Sequence, residues 1–222
     1  MAYNPLCDSA AGFERASPED TLEFGVSGLL WNSSQLLYDY QPETRRESLW
    51  SVLQGRAVAG RFAASARRLT ALPIAVVRWD AWLVRHPTTT VLAPNVRYRE
   101  QYESDPFGPY WAADELKFPV QPLPPRPGVD DLGWKDPVLA VTAQGRTVAY
   151  PLRAIAARVS ARGKAASWTT SQNGVRLRFD YWPEPPTAAV TALDLTADPV
   201  SVTQAFWFAW YAQHPDGMVL WP

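Results

Sequence analysis

Few residues in this chain have the chemistry to bind a metal or attack a substrate: one thiol, Cys7, and two imidazoles, His86 and His214. A zinc site would need all three to converge, because the sequence holds no other thiol or imidazole. A Cys/His hydrolase would need Cys7 beside a histidine and an orienting carboxylate, and no local motif supplies that arrangement. Both histidines precede proline at the end of a helical pattern, where an imidazole caps carbonyls or meets the negative end of the helix dipole. Both are expected to cap their helices. No metal, no cofactor and no catalytic residue is expected.

The polar residues with the most site-like grouping are Ser27, Asn32, Ser33, Tyr38, Asp39 and Trp50. If Cys7 shares their cavity, the seven form a pocket for a small ligand. The plainer alternative is that Asn32 and Asp39 stabilise turns while Tyr38 and Trp50 fill the core. Gly25-Val26-Ser27-Gly28 lacks the Gly spacing and Lys-Ser/Thr ending of a P-loop, so it reads as a turn between strands.

Short β-like runs must carry these residues: Gly12 to Arg15, Thr21 to Val26, Gln35 to Tyr40, Val138 to Thr142, Thr147 to Tyr150, Ala165 to Thr170, Val175 to Tyr181 and Ala188 to Leu193. Ser17-Pro18-Glu19-Asp20, Gln144-Gly145 and Asn173-Gly174 punctuate them at hairpin spacing. Helical periodicity is confined to Val77 to Arg85 and Thr203 to Gln213, where Trp79/Trp82/Leu83 and Phe206/Trp207/Trp210 each predict an aromatic face laid on a sheet. Between the halves, prolines at 119, 122, 124, 125 and 127 exclude helix and central strand, which makes 119–134 a stiff connector. The expected fold is mainly β with a few short helices, a β-rich α+β class. Two related β-rich units, 1–118 and 135–222, are expected to pack together.

At 222 residues and 47% hydrophobic, the chain can bury a substantial core. A formal net charge of -1 leaves no broad field to collect nucleic acid or anionic lipid. Charges at Asp8, Glu14, Arg15, Glu19, Asp20 and Glu23 interrupt any leader or membrane span in the first thirty residues, so a cytoplasmic location is expected, peripheral to a membrane at most. A true start upstream would change that to export. One cysteine excludes an internal disulfide. The 11 tryptophans mark a rigid aromatic core first and interface anchors second.

The helical segments repeat. With His86 set over His214, VVRWDAWLVRHPTTTVLAP and TQAFWFAWYAQHPDGMVLWP share Trp79/Trp207, Ala81/Ala209, Trp82/Trp210, Pro87/Pro215, Val91/Val219 and Leu92/Leu220. Upstream, GFERASPEDTLEF pairs with ASWTTSQNGVRLRF. Two copies of one unit would close a common core that neither can close alone. The second copy starts with DPVLAVTAQGRTVAYPLRAI, a strand pair and short helix for which the first copy has no counterpart. A strand pair is therefore expected to be missing before Met1, with a bare β edge left behind.

NPLCDSA, FGVSGLLWNSSQLLYDYQPETRRESLWSVLQGRAVAG, SDPFGPYW, DPVLAV, VAYPL and FWFAWYAQHP together resemble the bacterial family catalogued as domain of unknown function 3179, over nearly the whole chain. The family motif carries two cysteines as Cys-Pro-Leu-Cys; here Asn4 stands at the first and Cys7 at the second. YQPETRRE is longer than the family run, and RFAAS replaces a Pro-Leu-Ala-Gly-like turn. The resemblance implies a fold and no established reaction.

Two functions follow as expectations. The first is a non-catalytic structural or accessory subunit that binds other protein subunits of a larger complex, a photosynthetic or respiratory membrane complex being the class anticipated. The alternative is a small-ligand or metal-binding protein, or an enzyme, that uses Cys7 and residues 27–50.

Overall fold

A computed structural model describes residues 1–16, 20–41, 46–125, 131–160, 166–195 and 199–220. The fold is mainly β, and the strands described fall into three sheets. The first three residues of the predicted Ser17-Pro18-Glu19-Asp20 turn and part of the connector, 126–130, lie outside these residues.

The largest sheet begins with a hairpin, β1 (Ala2–Asn4) and β2 (Ser9–Phe13). Its next neighbour comes from the far end of the chain. Ala10 of β2 pairs with Gln204 of β13 (Ser201–Phe206), which pairs along its length with β8 (Pro137–Ala143). The order continues through β9 (Arg146–Pro151) to β14 (Met218–Val219), while β7 (Ala71–Leu72) pairs with β2. Residues from both halves thus share one sheet, and β1 forms its outer edge.

Alternation along β8, β9 and β13 splits this sheet into two faces. Leu139, Val141, Val148, Tyr150 and Val202 point to a core completed by Leu152 and Ile155 of α5 (Leu152–Ser160) and by a three-stranded sheet, β10 (Ser167–Gln172), β11 (Val175–Pro183) and β12 (Pro186–Ala192). On the opposite face Val138, Ala140, Ala149 and Ala205 pack against Phe208, Ala209 and Trp210 of α6 (Trp207–Gln213), with Cys7 in the same cluster. Burying both faces explains why the strands read as nearly continuous apolar runs.

The third sheet runs β3 (Phe24–Trp31), β4 (Ser34–Asp39), β5 (Leu49–Ser51) and β6 (Arg56–Ala59), with Trp50 and Ala57 at its centre and the one-turn helix α1 (Arg61–Ala64) following β6. Gly25 to Gly28, expected as a turn, lies inside β3. The register with β4 shifts between Val26 and Leu30, and Gly28 takes φ +76 there with open space where a side chain would stand. The segment is a bulge: its punctuation is real, but the chain does not reverse. The reversal comes at Asn32 and Ser33, both at positive φ, as in a two-residue hairpin turn. Gln144-Gly145 and Asn173-Gly174 both turn the chain as predicted, and both are left-handed pairs.

Helix α2 (Trp79–Arg85) and α6 are alike in geometry. Each has seven residues, entered from a residue at φ -65, ψ 145 and ended by a histidine C-cap. Their surroundings differ. α6 buries Phe208, Ala209 and Trp210, whereas α2 buries no residue, so its predicted seat on a sheet is not realised. Thr203 to Phe206, expected as helix, instead extend β13 because they pair with β8. Between α2 and the second half lie α3 (Arg99–Tyr102) and α4 (Gly108–Ala112), each barely more than a turn. The described part of the connector is bound to the C-terminal core: Leu132 is buried, and Trp134 donates its indole N–H to Pro124 O at 3.2 Å.

Candidate functional site

Cys7 sits in the β1–β2 turn with no exposed surface. Its thiol donates to the Ser9 hydroxyl at 3.1 Å, and Asn4 Nδ2 lies 3.4 Å from Sγ. Asn4 also donates to Ser33 O at 2.8 Å, which fastens this turn to the β3–β4 turn. Cys7 O accepts the Phe206 amide at 2.7 Å, tying the turn to the strand that leads into α6. Burial pushes the thiol up to about 11, and the polar surroundings of Ser9 and Ser34 only partly offset the shift. At neutral pH the group is a protonated, inaccessible thiol.

Beside it, Asp8 accepts hydrogen bonds from Tyr3 Oη and Gln204 Nε2, each at 3.0 Å. Burial pushes the Asp8 carboxyl above its ordinary range, and those two donors only partly offset the shift. The Tyr3 hydroxyl is also raised, by burial first and by Asp8 second.

The seven residues singled out by sequence do not meet in one cavity. Cys7 and Ser33 come together through Asn4. Asn32 faces elsewhere, accepting the Gln121 amide at 2.9 Å and donating to Gln121 O at 3.0 Å, so that it clamps the connector. Asp39 and Trp50 form a separate buried pair: Asp39 Oδ1 accepts Trp50 Nε1 at 2.8 Å and the Ser48 amide at 2.6 Å. Ser27 braces the bulge by donating to Leu36 O at 2.6 Å. Tyr38 covers Gly25, where an added methyl would lie 2.6 Å from its hydroxyl. Among the described residues no three of the His, Cys, Asp and Glu side chains are grouped to hold a metal ion.

His214 caps α6 as the His-Pro pattern predicts, its Nδ1 lying 3.1 Å from Trp210 O. A carbonyl can only accept, so Nδ1 carries the proton. The ring stacks on Trp210 at 5.1 Å, just as His86 stacks on Trp82 at 4.0 Å. Burial lowers the His214 pKa; the Trp210 carbonyl opposes this, while the charges of Arg68 and Arg56 add to it.

Two clefts lie elsewhere. One, about 540 Å³, is apolar and runs between the β1–β2 hairpin and residues 74–82. The other, about 700 Å³, opens between the sheet strands β8, β9 and β13 and the Gln54–Gly55 and Arg68–Leu69 segments, with His214 in its wall. None of the seven predicted residues lines either cleft.

A family model described as "Protein of unknown function (DUF3179)" matches residues 1–217. The chain belongs to the DUF3179 family. Neither curated proteins nor solved structures provide a match to this DUF3179 chain. No helix among its described residues is long and apolar enough to cross a membrane.

Proposed function

We propose that this chain is a non-catalytic accessory subunit that binds and stabilises a larger protein assembly. One observation carries the reading. Every residue from Val84 to Pro106 is exposed, and the run holds Val91, Leu92, Val96, Tyr98 and Tyr102. Leu92 is 93% and Val96 85% accessible, values that cost free energy in water and mark interaction surface when they occur together.

The run is anchored at both ends rather than trailing. Near its start Arg85 lies over the Trp182 ring at 4.2 Å and Trp82 Nε1 donates to Thr89 Oγ1 at 2.9 Å, and beyond the run Trp111 Nε1 donates to Pro5 O at 2.7 Å. With these N–H groups satisfied internally, the exposed parts of Trp82 and Trp111 are largely ring carbon, suited to an apolar partner. The apolar cleft of Tyr3, Ala11, Ile74, Val76, Trp79 and Trp82 continues the surface to the β1 edge, where a strand of another protein could add. Charges along the run have both signs, from Arg97 and Arg99 to Glu100, Glu103 and Asp105, which favours a protein over a nucleic acid or an anionic membrane. The buried, protonated Cys7 thiol gives no support to thiol chemistry.

The test is native isolation of the tagged chain, beginning with photosynthetic and respiratory membrane complexes. Co-migration with defined subunits at fixed stoichiometry, abolished by Leu92→Glu with Val96→Glu while circular dichroism is unchanged, is the expected result. A wild-type chain that runs as a monomer in gently prepared extracts overturns it.

A further inference from the structure

We propose that the larger cleft binds a sugar-sized polyol carrying one anionic oxygen group, held by Arg68 and by a row of hydroxyls on the large sheet. The strand register produces that row. Ser201 of β13 stands opposite Thr142 of β8, which stands opposite Thr147 of β9, and Thr203 lies two residues along on the same face. This is the face that buries Val138, Ala140, Ala149 and Ala205 farther along. Where the cleft opens, it changes from methyl groups to hydroxyls, all of them half-buried. The Thr142 and Thr147 hydroxyls share a hydrogen bond at 2.8 Å and keep further capacity toward the cleft, so the row presents polar groups that suit a hydroxylated ligand.

The opposite wall supplies charge. Arg68 lines the cleft, and Arg56, outside the lining, stands directly across an antiparallel bridge from it, a like-charge pairing that costs stability unless an anion sits nearby. Their hydrogen bonds go to Gln54, from Arg56 Nε to Oε1 at 2.7 Å and from Arg68 Nη1 to the backbone O at 3.3 Å. Among the described residues neither guanidinium is ion-paired, and no carboxylate lines the cleft. Two further lining groups complement a polyol. Trp210, 1% exposed, closes the floor of the cleft with its ring, and His214, protonated at Nδ1, keeps Nε2 as an acceptor for a ligand hydroxyl. The cleft volume of about 700 Å³ fits a hexose with its charged group and is generous for a lone inorganic ion.

Titration calorimetry of the full chain with glucose 6-phosphate, gluconate and glucose tests the site and separates a phosphate from a carboxylate ligand. Saturable binding of at least one anion, about tenfold or more tighter than glucose, is expected. Arg68→Gln, at an exposed position whose loss spares the core, should weaken it about tenfold, and Thr142→Val should weaken it without shifting the thermal midpoint by more than a few degrees. Absence of saturable binding by both anions, equal binding of glucose, or full affinity in Arg68→Gln overturns the proposal.

Discussion

Asp39 accepts the indole N–H of Trp50 at 2.8 Å in a place where neither side chain meets solvent, Asp39 being 0% and Trp50 1% exposed. The same carboxylate accepts the Ser48 amide and the Gln41 side-chain amide, so it closes the long connection between β4 and β5. Asp39→Ala would strand two buried donors and open a small void. A loss of about 3 kcal/mol, or about 6–12 °C in thermal midpoint, is expected from thermal unfolding of wild type and variant. A change within about 0.5 kcal/mol would mean the pair is dispensable.

Cys7 should be inert in the native chain. With its pKa pushed up to about 11, about one thiol in a thousand is ionised at pH 8, and burial denies reagents access to that fraction. Native protein mixed with a thiol-reactive disulfide reagent should therefore label no faster than it unfolds, and in denaturant it should label at once. Rapid native labelling would contradict the buried turn.

His214 makes stability depend on pH in a definite direction. Its folded pKa lies below the unfolded value of about 6.5, so the unfolded chain binds more protons as the pH falls. The neutral ring's contribution is intact above pH 6.5 and is lost below it, by at most about 1.4 kcal/mol per pH unit. Burial is the main cause, and the facing guanidinium groups of Arg68 and Arg56 act in the same sense, against the Trp210 carbonyl. Urea unfolding between pH 7.5 and 5 should show a smaller acid-side decline in His214→Asn than in wild type. Parallel curves would remove His214 as the source.

The parts of the fold legible in the sequence are those set by neighbours along the chain. The Asn173-Gly174 and Gln144-Gly145 turns and the paired apolar runs around them are local signals, and the hairpins follow. Phe206, Trp207 and Trp210 have helical spacing, yet residues up to Phe206 are strand because β8, over sixty residues earlier, pairs with them. The candidate pocket failed to assemble for the same reason. Cys7 meets Ser33 only through Asn4, and Asn32 turns to Gln121, contacts that no spacing announces. Arg68 and the hydroxyl row carry no sequence signal, because register, rather than a motif, brings Ser201, Thr142 and Thr147 into line.

Trp82 and Trp210 hold corresponding places in two seven-residue helices, each stacked on the histidine that ends its helix. Equal motifs in unequal surroundings allow burial to be separated from the motif itself. Trp210 is 1% exposed and Trp82 37%. Trp210→Phe would vacate part of a packed core without orphaning an acceptor, since its N–H has none among the described residues, and the cost is a cavity of about 2–3 kcal/mol. Trp82→Phe gives up the hydrogen bond to Thr89 at a site already in contact with water, so a loss of about 1 kcal/mol or less is expected. Chemical denaturation of the two variants checks the order. If Trp82→Phe proves the more costly, α2 is buried against something in solution, and the exposed run that follows it is already covered in the isolated chain.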